Sequence, residues 1–568
     1  MKLKRRLLLC CLSLLLLSVC LPRPESRALE ADPTVRVGLY YGSDALPAAN
    51  LQNVSGMGSG YRLGYFDWPS GQFVSLMEID TVEITVVKDK LIYINGKNYT
   101  DVAPASYTAA IGPYHLQTNR QFSSWQEALN FCQSLPMEAF PAYVNGAYTA
   151  RIGQYSSAAE AQSAQAAVSA AAGSTSVCGY SQSCYTVTAT GSNDILFELD
   201  SGGHCLGIQP RGDKTQTWFK GYKYYGGFEY NRVNGNDVTV INVVKMDDYL
   251  KGVVPYEMSA SWPVEALKAQ ALCAKSYCVQ NKNKHRSQGF DLCNSTDCQV
   301  YRGTNSATAN SDGAVEAVSG QYVVYNGQIA QTFYHASSGG ATEDVENIWD
   351  DYVPYLRGVE DTYLTNKISW SAKLTNESVA AILRGKGYSV SSVTDVYVSG
   401  LTRSGNVREL TIAQSNGKPL VFSGEKARTI LNNSAYDVSF LSHRYTISGS
   451  GGSPSGGSSS GGSVYINDKQ TDLSGLQAIG KNGVSPLASG NLSAVTGKGT
   501  VSLTPSSSAG ASSSVNTTGS GVYAVSGSGS GHHVGLSQWG ANGMAKAGFD
   551  YQQIIKFYFT GVQVGPAA

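Results

Sequence analysis

The sequence predicts a multidomain, β-rich α+β protein. Its 568 residues suffice for two to four domains, each able to bury a core. Four strand-like runs in succession, 208–210, 217–221, 226–230 and 238–244, lead into one helical pattern, the order expected when sheet and helix segregate. A separate stretch, 104–190, alternates strand and helix in a βαβα rhythm. Acidic and basic residues balance at 42 each. Without a basic surplus, a nucleic-acid partner is not expected.

Residues 1–28 read as a targeting segment. Lys2, Lys4, Arg5 and Arg6 precede an apolar run from 7 to 21, and Ser26 and Ala28 offer small residues for cleavage. The run is short for a spanning helix, which leaves a cleaved signal and an uncleaved anchor both open. Either implies export, to the extracellular space or the cell wall, where disulfides are permitted. Of eleven cysteines, Cys10, Cys11 and Cys20 lie in this segment and eight lie beyond it. Cys273 and Cys278 are five apart on one predicted helix and point to different faces. Cys178 and Cys184 bracket an expected hairpin, which a disulfide would close into a small loop.

Residues 33–103 read as a small β-rich segment. The run 35–42 alternates like a strand, 82–87 and 91–94 follow, and Asn95-Gly96 signals a hairpin turn. Within 104–190, strands are expected at 106–111, 144–155 and 185–189. Helices are expected at 124–131 and, opened by Ser157, at 158–172. The third domain is drawn from 192 to 565. Its Gly/Ser-rich stretches at 448–463 and 505–520 cannot build a core and are expected to be flexible loops.

The chemistry is expected around residues 247–279. Val253, Val254, Pro255, Tyr256, Met258 and Trp262 flank Glu257. Apolar surroundings raise a carboxyl pKa by disfavouring its charged form. A Glu partly protonated near neutral pH is what a general acid requires. Pro263 suits a first helical position. Val264, Leu267, Ala271, Ala274 and Cys278 then mark one face of a buried helix. An acid that caps this helix is the alternative reading of Glu257.

Three further runs hold candidate residues. Cys293 and Cys298, with Asp297 and His285, offer a zinc-type ligand set. A Cys293–Cys298 disulfide is the alternative, favoured by export. His335 and Ser338 lie in a run closed by Gly339 and Gly340, which suit a tight loop. His532, Ser537 and Gln538 lie in a second glycine-rich run from 529 to 541. The sequence holds no strand–turn–helix G-x-S-x-G elbow and no H-E-x-x-H helix, so neither a serine hydrolase of that type nor a zincin is expected.

These runs carry a resemblance. Val254-Pro255-Tyr256-Glu257-Met258 with the following Ala266-Leu267-Lys268-Ala269-Gln270-Ala271, the run 335–342, and the run 529–541 resemble the stage II sporulation protein D family, also called the SpoIID/LytB domain. The resemblance implies a β-rich catalytic domain with a buried helix after the catalytic loop. It implies a lytic transglycosylase acting on peptidoglycan glycan strands, with Glu257 as the acid. His335, Ser338, His532, Ser537 and Gln538 would line the glycan cleft, the two histidines converging on Glu257. No cofactor is required, although some members bind zinc near the Cys293 group. The sequence departs from the family in places. Asp297 stands where many members carry His, Ala336 replaces Ser, Leu536 replaces Met, and His533 replaces a Gly at a turn expected to need positive φ. The LytB side of the family implies a different role, a wall-binding protein that enhances an N-acetylmuramoyl-L-alanine amidase without cleaving glycan itself.

The run 148–161 carries a resemblance of the 104–190 segment to a SPOR domain, the sporulation-related repeat. This implies a four-stranded sheet packed on helices, and binding to glycan stripped of stem peptides. Tyr148 and Tyr155 there are either sugar-stacking rings or structural strand residues.

Overall fold

The structure is a computed structural model. It describes residues 33–449 except Pro69, and 521–566; between 463 and 503 it gives only the backbones of six short strands. The expected targeting segment and most of both Gly/Ser-rich stretches lie outside the described residues. At their margin, Ser448 and Gly449 end one strand and Ser463 begins another. The chain forms two compact units. The first comprises the chain up to Thr342, Val353–Asn366 and the chain from Val534; the second comprises Glu343–Tyr352 and Lys367–His533. Among the described residues, no helix is long and apolar enough to cross a membrane.

The first unit contains a seven-stranded sheet in the order Leu292–Cys293, Thr34–Tyr40, Thr239–Lys245, Gly227–Asn231, Leu206–Pro210, Tyr61–Asp67, Gln72–Ile79. The strand Thr239–Lys245 is buried at six of its seven positions. It runs directly into the helix Met246–Lys251, a single helical turn Val254–Glu257, and the helix Val264–Gln280. This last helix is covered on all sides, with residues 266, 267 and 269–278 buried, so the one-face pattern understates it. Helices Ala309–Ala317, Gln538–Lys546 and Tyr551–Tyr558 pack around it. Val264, counted in the predicted face, is 37% exposed. Pro263 sits one position earlier than expected, at the N-cap, and no side chain caps this helix. The capping reading of Glu257 is therefore overturned, because Glu257 ends the preceding turn. Inside the helix, Lys275 is fully buried, paired with Asp247 at 2.9 Å and donating to the Val318 carbonyl at 3.2 Å. A buried ammonium persists only when so matched.

A ten-stranded sheet joins the two N-terminal segments, which the sequence reading separates. Its order is Thr175–Cys178, Tyr114–Thr118, Ala147–Tyr155, Ala139–Val144, Ile195–Asp200, Cys184–Ala189, Glu83–Lys88, Ala48–Asn53, Thr217–Phe219, Tyr222–Tyr224. Boundaries at 103 and 190 fall between strands of this one sheet. Its first four strands and the helices Trp125–Ser134 and Ala158–Ala172 run βαββαβ in sequence, not βαβα. The expected strand 144–155 is the cause. It is two strands joined at Asn145 (φ 47°) and Gly146 (φ 92°), an Asn-Gly turn of the kind that closes hairpins. Ser124 and Ser157 cap the two helices as expected, each accepting a backbone N–H three residues on. The strand near 185–189 belongs beside Glu83–Lys88. Cys178 and Cys184 are free thiols. Cys178 lies 3.5 Å from the His115 carbonyl, and Cys184 accepts from the Arg151 guanidinium at 3.5 Å.

The second unit packs the strands Ser369–Thr375, Val522–Ser528 and Tyr445–Gly449 into one sheet and Val393–Leu401, Val407–Gln414 and Leu420–Ser423 into another. Leu374, Leu383, Leu410, Ile412, Leu431 and Val525 share its core. Its helix Asn376–Gly385 opens on a capping box between Thr375 and Ser378.

Candidate functional site: a half-buried glutamate and its hydrogen-bond donors

Glu257 is half-buried at the end of its helical turn. Its Oε1 accepts the backbone N–H of Val300 at 3.1 Å, and its Oε2 accepts from Gln538 Nε2 at 3.4 Å. The Tyr334 hydroxyl also hydrogen-bonds the carboxyl group. Burial raises the Glu257 pKa above the ordinary value of 4.5, and these three donors pull against it. The group is thus desolvated yet held in place, the balance a proton donor needs.

The donors are themselves fixed. Tyr334 accepts from Gln299 Nε2 at 2.9 Å, and Gln299 accepts from the Tyr249 hydroxyl at 3.0 Å. Burial drives the Tyr334 pKa well above 10, so the phenol remains a donor. Gln538 also donates to Gln270 Oε1 at 3.3 Å, on the central helix. Sequence reasoning missed Tyr334, Gln299, Gln270 and the Val300 N–H. Gln270 left a signal, a carboxamide flanked by alanines inside a buried helix, where polar groups occur only with partners.

The structure distributes the other expected residues unevenly. Tyr334–His335 pairs in parallel with Leu536–Ser537, which brings the two glycine-rich runs together. Gly535 permits this: its φ is 72°, and a Cβ there would lie 2.3 Å from the Phe333 carbonyl oxygen. Gln538 alone among the five expected cleft residues has a described contact with Glu257. His335 is buried, its Nδ1 3.3 Å from the Val534 carbonyl, and desolvation pushes its pKa down to about 3. It is a neutral imidazole. Ser338 is fully buried and donates to Asp361 at 2.7 Å, which also accepts from Tyr558. Ser537 caps the helix Gln538–Lys546 by accepting the Gly540 N–H at 3.3 Å. His532 belongs to the second unit, its ring 4.9 Å from that of Trp349. His533 takes φ 64°, the conformation expected of the glycine it replaces, and lies 3.2 Å from Asn406 Oδ1. Asn, Asp and His are the side chains that enter that region most readily after Gly.

The second cluster is compact. His285, Cys293, Asp297 and Cys298 bring one ligand atom each to within 4.8 Å of one another. His285 Nε2 lies 3.3 Å from the Cys298 sulfur and 3.2 Å from Asp297 Oδ2. Its Nδ1 lies 2.7 Å from Gln288 Oε1, the kind of outer contact that orients a ligating imidazole. Both cysteines are free thiols, so the disulfide alternative is not what the structure holds. A hydrogen bond from Cys298 holds the Cys293 thiol down to about 4 and Cys298 up. Two sulfurs, an imidazole and a carboxylate fit a tetrahedral zinc. Elsewhere in the first unit a cavity of about 770 Å³ is lined by Lys88, Lys90, Tyr114, Tyr180 and Arg232 among others, none of them part of the Glu257 cluster.

Residues 234–325 match the family model described as SpoIID, stage II sporulation protein. The match spans Glu257, the central helix and all four members of the second cluster. This stretch carries a SpoIID domain. Three relatives carry the likeness well beyond that stretch. An uncharacterized protein of Brachyspira hyodysenteriae is 28% identical over 355 residues, covering 62% of this chain and 75% of that protein. The amidase enhancer of Bacillus subtilis is 28% identical over 340 residues, 55% of this chain but only 39% of that longer relative. Stage II sporulation protein D of Bacillus subtilis is 24% identical over 339 residues, 57% of this chain and 75% of the relative. The family match does not reach the 104–190 segment.

Proposed function

We propose that this SpoIID-domain protein is an exported, cell-wall-directed lytic transglycosylase of sporulation or wall remodelling, with Glu257 as its acid and base. The observation that carries the reading is the Glu257 environment. Its described contacts are a backbone N–H, a carboxamide and a phenol, three donors that hold a desolvated carboxyl group in place. A hydrolase of the usual kind needs a second carboxylate to activate water or to attack. A transglycosylase does not. Protonated Glu257 gives its proton to the GlcNAc O4 as the bond to MurNAc C1 breaks. The resulting carboxylate takes the proton from the MurNAc C6 hydroxyl as that oxygen closes on C1. The product is an anhydro-muramyl end, and Glu257 is again protonated.

His285, Cys293, Asp297 and Cys298 would hold a structural zinc in this reading, pinning the loop after the central helix. The βαββαβ portion supports a role in holding stem-free glycan, the ligand implied by its SPOR-like sequence. Glu257→Gln incubated with stem-free glycan strands tests the catalytic reading. Wild-type protein should release anhydro-muramyl ends and the variant none; equal release by both would sink it.

A second reading has its own support in the 28% identity to an amidase enhancer. On that reading the protein binds the wall and stimulates an N-acetylmuramoyl-L-alanine amidase without cleaving glycan. Amidase stimulation by Glu257→Gln equal to that of the wild type, with no anhydro ends from either, would select it.

A further inference from the structure

Two tryptophans flank the Glu257 cluster and remain half-buried, Trp262 and Trp539. Their ring centroids are 4.6 Å apart, with the planes tilted by 56°. Trp262 follows Glu257 by five residues, in the loop before the central helix. Trp539 follows Gln538, the residue that hydrogen-bonds Glu257. Both backbones are clamped. The Trp262 N–H donates to the Ser259 carbonyl at 2.9 Å, and Asn310 Nδ2 donates to the Trp262 carbonyl at 3.0 Å. The Trp539 N–H donates to the Ala336 carbonyl at 3.0 Å, and the Thr365 hydroxyl donates to the Trp539 carbonyl at 3.1 Å.

Large aromatic rings left partly in water forgo hydrophobic stabilisation that full burial would give. Here they are adjacent, and Trp539 directly follows the residue whose carboxamide holds the reactive carboxyl group. Ser259 and Ser261, both exposed, border the same loop, their hydroxyls 2.9 Å apart. A pyranose ring presents an apolar C–H face edged by hydroxyls. Indole faces bordered by serine hydroxyls complement it.

We propose that the Trp262–Trp539 pair is a sugar-binding subsite, on which a ring of the glycan stacks beside the bond to be cleaved. This rests on Glu257 as the reacting group. Indoles on clamped backbones, packed ring against ring, lose little freedom on binding, so the contact is pre-organised. The pair sets where along the strand the bond is cut, because it fixes the register of sugar rings relative to Glu257.

The test separates binding from cleavage by working in full-length Glu257→Gln protein. A stem-free GlcNAc–MurNAc oligosaccharide is titrated and followed by calorimetry and by intrinsic tryptophan fluorescence. Binding should change the indole emission and protect it from iodide. Added Trp539→Ala or Trp262→Ala should weaken binding about tenfold, a fold-change equal to ~1.4 kcal/mol, while Trp→Phe at either position retains most of the affinity. Melting curves identify any alanine variant that fails to fold, and the phenylalanine pair with iodide protection then decides. Unchanged affinity in folded alanine variants, or calorimetric binding with no change in emission or quenching, would overturn the subsite. If the alanine variants bind more weakly and the emission responds as expected, but wild-type protein makes no anhydro ends, the catalytic reading fails and the subsite stands.

Discussion

At the scale of single residues, Glu257 sets a trade between stability and chemistry. Its folded pKa is raised above 4.5 by burial. Below 4.5 the carboxyl group is protonated folded and unfolded, and the desolvation penalty is absent. As pH rises through 4.5 and then the raised folded value, the unfolded chain ionises more readily, and the folded state loses stability. Glu257→Gln removes that penalty. The variant should therefore melt above the wild type at pH 7, with the gap closing below pH 4.5; thermal melts across that range check it. The amide can be accommodated, because Gln538 and Gln270 can flip in concert to offer acceptors where donors now stand. Tyr334→Phe acts oppositely on titration. The Tyr334 hydrogen bond favours the carboxylate, so its loss raises the Glu257 pKa further. The alkaline limb of the pH–rate profile should move to higher pH, with cleavage down about tenfold from lost alignment; a shift to lower pH would contradict the assignment. The raised pKa of Glu257 was legible in the sequence, from its apolar neighbours. Its partners were not. Val300 contributes through a backbone N–H that any residue type would supply, and Tyr334 lay one position from the more conspicuous His335.

At the scale of elements, the sequence read best where local rules decide. Ser124 and Ser157 predicted their helix starts because capping is local. Four strands of the seven-stranded sheet were legible as runs at 35–42, 208–210, 226–230 and 238–244, whereas Tyr61–Asp67, Gln72–Ile79 and Leu292–Cys293 were not. What escaped was pairing over distance, such as Cys184–Ala189 lying beside Glu83–Lys88, since no local feature encodes a partner a hundred residues away. The bridge between Tyr334–His335 and Leu536–Ser537 is of this kind, and Gly535 makes it sterically possible. Gly535→Ala places a Cβ against the Phe333 carbonyl at positive φ, for a cost of about 1–3 kcal/mol. It should lower glycan cleavage although Glu257 is untouched, and crystallography should show Gln538 displaced from it. A variant with full activity would mean the bridge does not position Gln538. The metal-type loop is a second case. Leu292–Cys293 pairs in parallel with the strand Thr34–Tyr40, so zinc would tie that loop to the sheet edge. Elemental analysis should find about one zinc per chain. Cys298→Ser should lose it, and a chelator should lower the melting temperature of the wild type but not of the variant.

At the scale of the whole molecule, one long segment joins two strands that are already neighbours. Gly449 and Tyr523 face each other across an antiparallel pair. Replacing residues 450–520 with an Asn-Gly pair, which keeps Gly521 and the Gly449–Tyr523 register, should leave the second unit folded. Its melting temperature should hold or rise, because a shorter closure costs less chain entropy; a fall would show that the segment supports the core. The 104–190 segment would not survive the same treatment. Cutting it out removes Ile195–Asp200 from beside Ala139–Val144 and strands Arg151 without Glu198 and Asp200. Its glycan binding is therefore to be measured in the full chain. The bond from Gln538 to Glu257 spans 281 residues, and that has a consequence in time. At about 5–20 residues per second, a ribosome needs roughly 14–56 s to add them. Throughout that interval the acid exists without the donor that helps fix it. If Glu257 is the acid proposed above, cleavage should be absent from a chain still being made, and a product truncated before Gln538 would carry the carboxyl group without that donor.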